Sequence, residues 1–99
     1  MNRLVRTDIF DRWLSELKDA RGKARIVERI RAFERGNFGD CEHVGAGVSE
    51  MRIHFGPSYR VYFTRFGDVV YVLLYGGTKR GQQRDILKAR ELARFLSGV

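Results

Sequence analysis

Two short stretches of this sequence carry side chains suited to handling a phosphate group. SEMRIHFGPSYRVYF, residues 49–63, holds Arg52 and His54 before a Gly-Pro break, and Arg60 and Tyr62 after it. YGGTKRGQQRDI, residues 75–86, sets Lys79 and Arg80 between two glycines and the start of a helical pattern. Arginine forks match phosphate oxygens, and tyrosine rings stack on bases. RNA can be cut without a metal if its own 2′-OH is activated, the phosphorane charge is stabilised and the leaving 5′-oxygen is protonated. Arg and Lys suit the middle task; His, Tyr or a carboxylate suits the proton transfers. Glycines at 76 and 77 permit close approach of backbone to a ligand, and helix N-termini attract anions. The GxxxxGK[ST] spacing of a nucleotide-binding loop is absent. From the residues alone three readings stand side by side: a solvated sheet face, a phosphate-binding platform, and a metal-free RNA-cleaving site.

The elements that must position these side chains follow from periodicity. Residues 2–6 form a short strand. Thr7 occupies a helix N-cap with Asp8 behind it, and Ile9, Phe10, Trp13, Leu14 and Leu17 recur at helical spacing. This predicts a first helix to about Asp19, with Trp13 in the core. The segment Ala20–Gly22 interrupts, and a second helix runs from about Lys23 to Arg35, stopped by Gly36 and Asn37. The short connection predicts an antiparallel helical hairpin. Strands then follow at about 42–45, 48–55 and 59–65, and the apolar run DVVYVLLYGG predicts a central strand covered on both faces and ended by Gly76-Gly77. A last helix from about Arg80 to Leu96 presents Ile86, Ala89, Leu92, Ala93 and Leu96. The order is β-α-α-β-β-β-β-α, an α+β domain in which helices pack on a small antiparallel sheet.

Alternation then sorts the hairpin's faces. Met51, Ile53 and Phe55 point one way with Tyr59, Val61 and Phe63; Glu50, Arg52 and His54 point the other way with Arg60, Tyr62 and Thr64. The helices claim the apolar face, so the polar set is expected on the exposed side, with His54 close to Arg60 and Tyr62 across the hairpin. Glu50 is placed to orient Arg52. Asp85, in the last helix's first turn, reads as a dipole and capping residue.

Composition bounds the rest. The 99 residues fit a single domain, residues 1–99, and carry a formal charge of +7. That excess attracts polyanions, and it equally serves solubility. Cys41 is the lone cysteine, which excludes an internal disulfide and suggests a packed free thiol. His43, two residues on, does not complete a metal site. No cofactor is implied. The N-terminal residues lack the apolar run of a signal peptide, and no segment approaches the roughly 20 apolar residues of a membrane span. These features predict a cytoplasmic protein.

The phrases GNFGD (36–40), GVSEMRIHFGPSYRVYF (47–63) and VLLYGGTKRGQQRDI (72–86), with the terminal helix, resemble the RelE/ParE superfamily of bacterial toxins, in its addiction-module killer or HigB-like branch. The resemblance covers essentially the whole chain. It implies a compact toxin of a type II toxin–antitoxin pair that cleaves mRNA, typically on the translating ribosome, without metal. A cognate helix-turn-helix antitoxin would neutralise it. By resemblance Arg52, His54, Arg60 and Lys79 take catalytic positions, and Arg80, Tyr62, Tyr59 and Gln82 take RNA-contacting ones. The late Tyr or His that serves RNA-cleaving relatives as general acid is missing from RELARFLSGV, which shifts proton transfer to His54 or Tyr62. The superfamily also contains ParE-type inhibitors of DNA gyrase, so a gyrase-directed toxin or a non-catalytic nucleic-acid-binding module are the alternatives.

Overall fold

The computed structural model describes residues 2–68 and 70–97. Its elements are β1 (Arg3–Arg6), α1 (Asp8–Glu16), α2 (Ala20–Glu34), β2 (Cys41–Gly45), β3 (Val48–Ile53), β4 (Tyr59–Phe66), β5 (Val70–Thr78), a 3-10 turn at Lys79–Gly81, and α3 (Gln82–Leu96). This is the predicted element order. Val69, which the apolar run places at the head of β5, lies outside the described residues, as do Gly98 and Val99 of the terminal segment.

Helix starts are set by side-chain caps. Thr7 Oγ1 accepts from the Phe10 N–H at 3.0 Å, and Asp8 and Asp11 sit in the first turn of α1. Thr7 Oγ1 also donates to the Leu74 carbonyl at 2.9 Å, tying the helix start to β5. Asp19 caps α2 by accepting from the Gly22 N–H at 3.0 Å. The expected break at residues 20–22 is therefore the first turn of α2. A cap oxygen at Asp19 outweighs the helix-weakening glycine at position 22.

The sheet runs β1-β5-β4-β3-β2. Its pairs are antiparallel except β1, which lies parallel to β5 with Arg3 opposite Val70 and Arg6 opposite Leu73. The sheet is thus mixed, not antiparallel as expected. The long stretch between β1 and β5 supplies the crossover that parallel neighbours require.

The helices do not share one face. α1 lies over β5 and α2 over β3, while α3 crosses β4 and β5. Phe10, Leu14, Ile26, Ile30, Phe33, Met51, Ile53, Val61, Phe63 and Leu73 form the core under α1 and α2. A second cluster, Val48, Tyr62, Val72, Leu74, Ala89 and Ala93, lies under α3. β5 feeds both, as its unbroken apolar run predicts. The two alanines let α3 sit close to the sheet. Its far end is tied to β2 by Arg90, whose Nε donates to the Val44 carbonyl at 2.7 Å.

The polar face of the hairpin is consequently covered. Glu50, Arg60 and Tyr62 are 1%, 6% and 0% exposed. Alternation identifies which side chains share a face but carries no information on whether a distant helix returns to cover it.

A register shift between Tyr62 and Phe63 puts Tyr75 opposite Tyr62 and Leu73 opposite Phe63, leaving Leu74 as the extra residue on β5. Beyond this bulge the glycines do not end the strand: Gly76 pairs with Val61 and Gly77 with Arg60. A Cβ on Gly76 would lie 2.2 Å from the Trp13 ring, and one on Gly77 would lie 2.1 Å from Asp85 Oδ2. The glycines are there because two side chains from opposite layers press onto this strand from either face.

Candidate functional site

A cleft of about 890 Å³ opens where β5 runs into α3. Gly76 and Gly77 form its floor, Trp13 and Asp85 flank it, and Lys79 and Arg80 stand at its rim. The rim turn is pinned to the β3–β4 connection by the Lys79 N–H, which donates to the Ser58 carbonyl at 2.9 Å. Among the described residues α3 begins without a side-chain cap, and the Gln82 N–H at its start donates to the Lys79 carbonyl of the preceding turn. Cationic side chains over exposed glycine backbone are the ingredients of an anion site.

A buried charge cluster lies behind the cleft. The β3–β4 register sets Arg52 opposite Arg60 and Glu50 opposite Tyr62. Two facing arginines repel, and Glu50, diagonal to Arg60, offsets them: its Oε1 is 3.2 Å from Arg60 Nε and its Oε2 is 3.5 Å from Arg52 Nε. Neither approach is aligned as a hydrogen bond, and Arg60 Nε and Nη1 find no acceptor among the described residues. Gln82 Nε2 donates to Glu50 Oε1 at 2.6 Å. Because Gln82 also lines the cleft, it joins the two regions. At its outer end the half-exposed Arg52 pairs with Glu42 and lies 3.9 Å from Asp40.

Two groups whose pKa values are raised accompany the cluster. The Tyr62 hydroxyl is buried without a partner among the described residues, and burial, reinforced by the charges of Glu50 and Asp85, pushes its pKa up. Asp85 is 4% exposed, and burial raises its carboxyl above the ordinary carboxylate range despite the charges of Arg84 and Lys88.

An uncharacterized protein of Haemophilus influenzae is 47% identical to this chain over 87 residues, which cover 88% of each chain. This chain belongs to the same family. A scan against protein-family models finds no match.

The predicted residues fall into separate places in this family member. Arg52, Arg60 and Tyr62 do meet on the α3 side of the sheet, and Gln82, Lys79 and Arg80 border the cleft beside them. Two residues do not join them. β3 ends at Ile53, so His54 leaves the ladder before it can face Arg60. It is 65% exposed, with Nε2 2.6 Å from Asp40 Oδ2, and borders a groove with Arg25 and Arg29 of α2. That contact is the main reason the Asp40 carboxyl titrates below its usual range. Tyr59 faces the α1/α2 core, where its hydroxyl donates to Asp19 at 2.7 Å. Burial first, and the Asp19 bond second, push its pKa up to about 12. Tyr59 therefore offers no ring for a base.

Asp85 stands in the first turn of α3, where its charge was expected to meet the helix dipole, but the expected cap is not formed. Its carboxyl turns onto Gly77. The signal was the glycine pair inside an apolar strand, which announces a close approach without naming what approaches. Trp13 packs against the core as expected, yet also borders the cleft. Cys41 is a half-buried free thiol whose pKa burial raises. Among the described residues, no three His, Cys, Asp or Glu side chains are grouped to hold a metal, and no helix is long and apolar enough to cross a membrane.

Proposed function

We propose that this chain is the toxin of a type II toxin–antitoxin pair: a RelE/ParE-type, HigB-like endoribonuclease that cleaves mRNA without metal and is neutralised by a helix-turn-helix antitoxin. The observation that carries this reading is the cleft at the β5–α3 junction. There Lys79 and Arg80 stand over the glycine floor, and Gln82 links that floor to the Arg52–Glu50–Arg60 cluster. In the proposed reaction Lys79 and Arg80 hold the scissile phosphate. Arg60 and Arg52 contribute fixed positive charge behind it, worth more there than in water because the cluster is shielded from solvent. The resemblance to the toxin superfamily and the β-α-α-β-β-β-β-α order support the same reading.

The position of His54, tied to Asp40 outside the cleft, favours a second reading in which no proton is moved and the chain acts on DNA gyrase or only binds nucleic acid. Expression in cells with parallel mapping of RNA 5′ ends and gyrase-linked DNA breaks separates them. The ribonuclease reading expects cut mRNA and intact DNA. Lys79→Ala suits this test better than Arg60→Ala, because Lys79 is exposed whereas Arg60 is paired inside the fold. Its loss should lower cleavage about 10²-fold with the thermal melt unchanged. DNA breaks with intact mRNA would move the assignment to gyrase, and a small helix-turn-helix gene next to this one would support either toxin.

A further inference from the structure

Asp85 is the sole carboxylate among the described residues bordering the β5–α3 cleft, and it stands where an ionised carboxylate opposes a bound anion. It is 4% exposed, and neither side-chain oxygen takes part in a hydrogen bond among the described residues. Its nearest cation, Arg84, has Nε 3.8 Å from Oδ1 but is itself 85% exposed, so solvent screens that pair. Oδ2 lies against Gly77, on the floor of the cleft whose rim carries Lys79 and Arg80. A phosphate seated between floor and rim would come within reach of Asp85. Beside that phosphate a carboxylate repels, whereas a neutral carboxyl donates its O–H to a phosphate oxygen.

We propose that the cleft takes a phosphodiester group with Asp85 protonated, so that each bound phosphodiester draws a proton from solvent onto this carboxyl. The phosphodiester as ligand class rests on the ribonuclease reading; the proton linkage goes beyond it. The groups facing Asp85 are consistent with this linkage. Arg84 and Lys88 on α3 favour its ionised form; Lys79 and Arg80 stand at the rim of the same cleft, and Arg60 on β4 pairs with Gly77 beneath it. Tyr62 faces it, with Glu50 behind Tyr62 as a like charge, and Tyr75 lines the same cleft. Burial prevails over the cations before any anion arrives. A bound phosphate adds a second like charge and shifts the balance the same way.

Trp13 is the sole tryptophan and borders the cleft against Gly76, so its fluorescence reports occupancy. The probe is a short oligothymidylate, which lacks the 2′-OH needed for cleavage, and whose phosphates and bases do not titrate in the acid and neutral range. At fixed low salt, its affinity should weaken by up to about tenfold per pH unit as pH rises across the interval between the free and bound values of Asp85. Asp85→Asn should bind more tightly at neutral pH and show no such slope. His43→Gln, which changes a histidine outside the cleft, should keep it. Calorimetry of the wild-type protein in two buffers of different ionisation enthalpy should show proton uptake on binding, and this measurement decides the matter even if Asp85→Asn fails to fold. A flat pH profile, a slope that survives in Asp85→Asn, or binding that leaves Trp13 unchanged would overturn the proposal. RNA cleavage assayed in parallel keeps the two readings distinct. Linked binding without cleavage sinks the ribonuclease alone, and cleavage with pH-independent binding sinks the proton linkage alone.

Discussion

Tyr59 and Tyr62 stand three residues apart on β4, point to opposite faces of the sheet, and are both almost completely buried. On the α1/α2 face Tyr59 sits among Phe10, Trp13 and Val61, and its hydroxyl has Asp19 as acceptor. On the α3 face Tyr62 sits beside Glu50 and Arg60, and its hydroxyl has no partner among the described residues. The first face is apolar packing with its few polar atoms satisfied. The second is a charge cluster with several atoms unsatisfied among the described residues, covered by a helix that packs Ala89 and Ala93 on it and reaches Glu50 through Gln82. Buried polar atoms are normally paired, so concentrating the exceptions on one face marks where stability has yielded to another demand.

Swaps that preserve shape test this difference most severely. Phe33, at the centre of the aromatic group with Phe38, Phe63 and Tyr71, should tolerate Phe33→Leu at a cost near 1 kcal/mol. Glu50→Gln keeps the volume but removes the one negative charge between Arg60 and Arg52, and should cost about 3 kcal/mol. Urea unfolding of the two variants against wild type measures both. If Glu50→Gln costs less than Phe33→Leu, the α3 face is held by packing after all and its charges are incidental.

The sequence discloses these two faces unevenly. Thr7, Gly36 and the run from Val70 to Leu74 are legible because their signals are local: a cap oxygen, a helix stop, an apolar stretch too long to leave either face bare. The pairing of Arg52, Arg60 and Tyr62 on one face is legible from alternation. Their burial is not, because Ala89 and Ala93 announce that α3 packs on something without saying which side of the sheet. His54 is misplaced by a single step, since alternation was extended past Ile53 into residues that have already left the ladder. The parallel seat of β1 joins the two ends of the chain and no local signal encodes it, whereas the glycine pair announces a close approach at Gly77 without naming Asp85.

Hydroxyl deletion gives a smaller effect but a difference in sign. Tyr59→Phe loses the bond to Asp19 and should destabilise by about 1 kcal/mol. Tyr62→Phe removes a hydroxyl that was buried without compensation, and should be neutral or stabilising by up to about 1 kcal/mol. Thermal melts at neutral pH compare them directly, and equal losses in both variants would mean that Tyr62 has a partner after all.

The smallest effect expected is a pair of opposed pH slopes from one carboxylate on each face. Asp19 has its pKa lowered from 3.8, first by the Tyr59 hydroxyl and then by the Gly22 N–H. A depressed folded-state pKa stabilises above the unfolded value, and that contribution is lost as pH falls through the folded one. Asp85 has its pKa raised from 3.8 by burial. Its contribution has the reverse sign: present in full below the unfolded value, and lost as pH rises through the folded one. Asp19→Asn should therefore be less stable than wild type at neutral pH, with the gap closing as the solution is acidified below about pH 4. Asp85→Asn should be more stable than wild type at neutral pH, and that advantage should shrink on the way down to the same pH. Unfolding midpoints measured across this range for both variants would show the two gaps closing from opposite sides. Gaps of the same sign would mean that Asp85 is stabilised where it stands, and the contrast between a satisfied face and a strained one would not hold at its carboxylates.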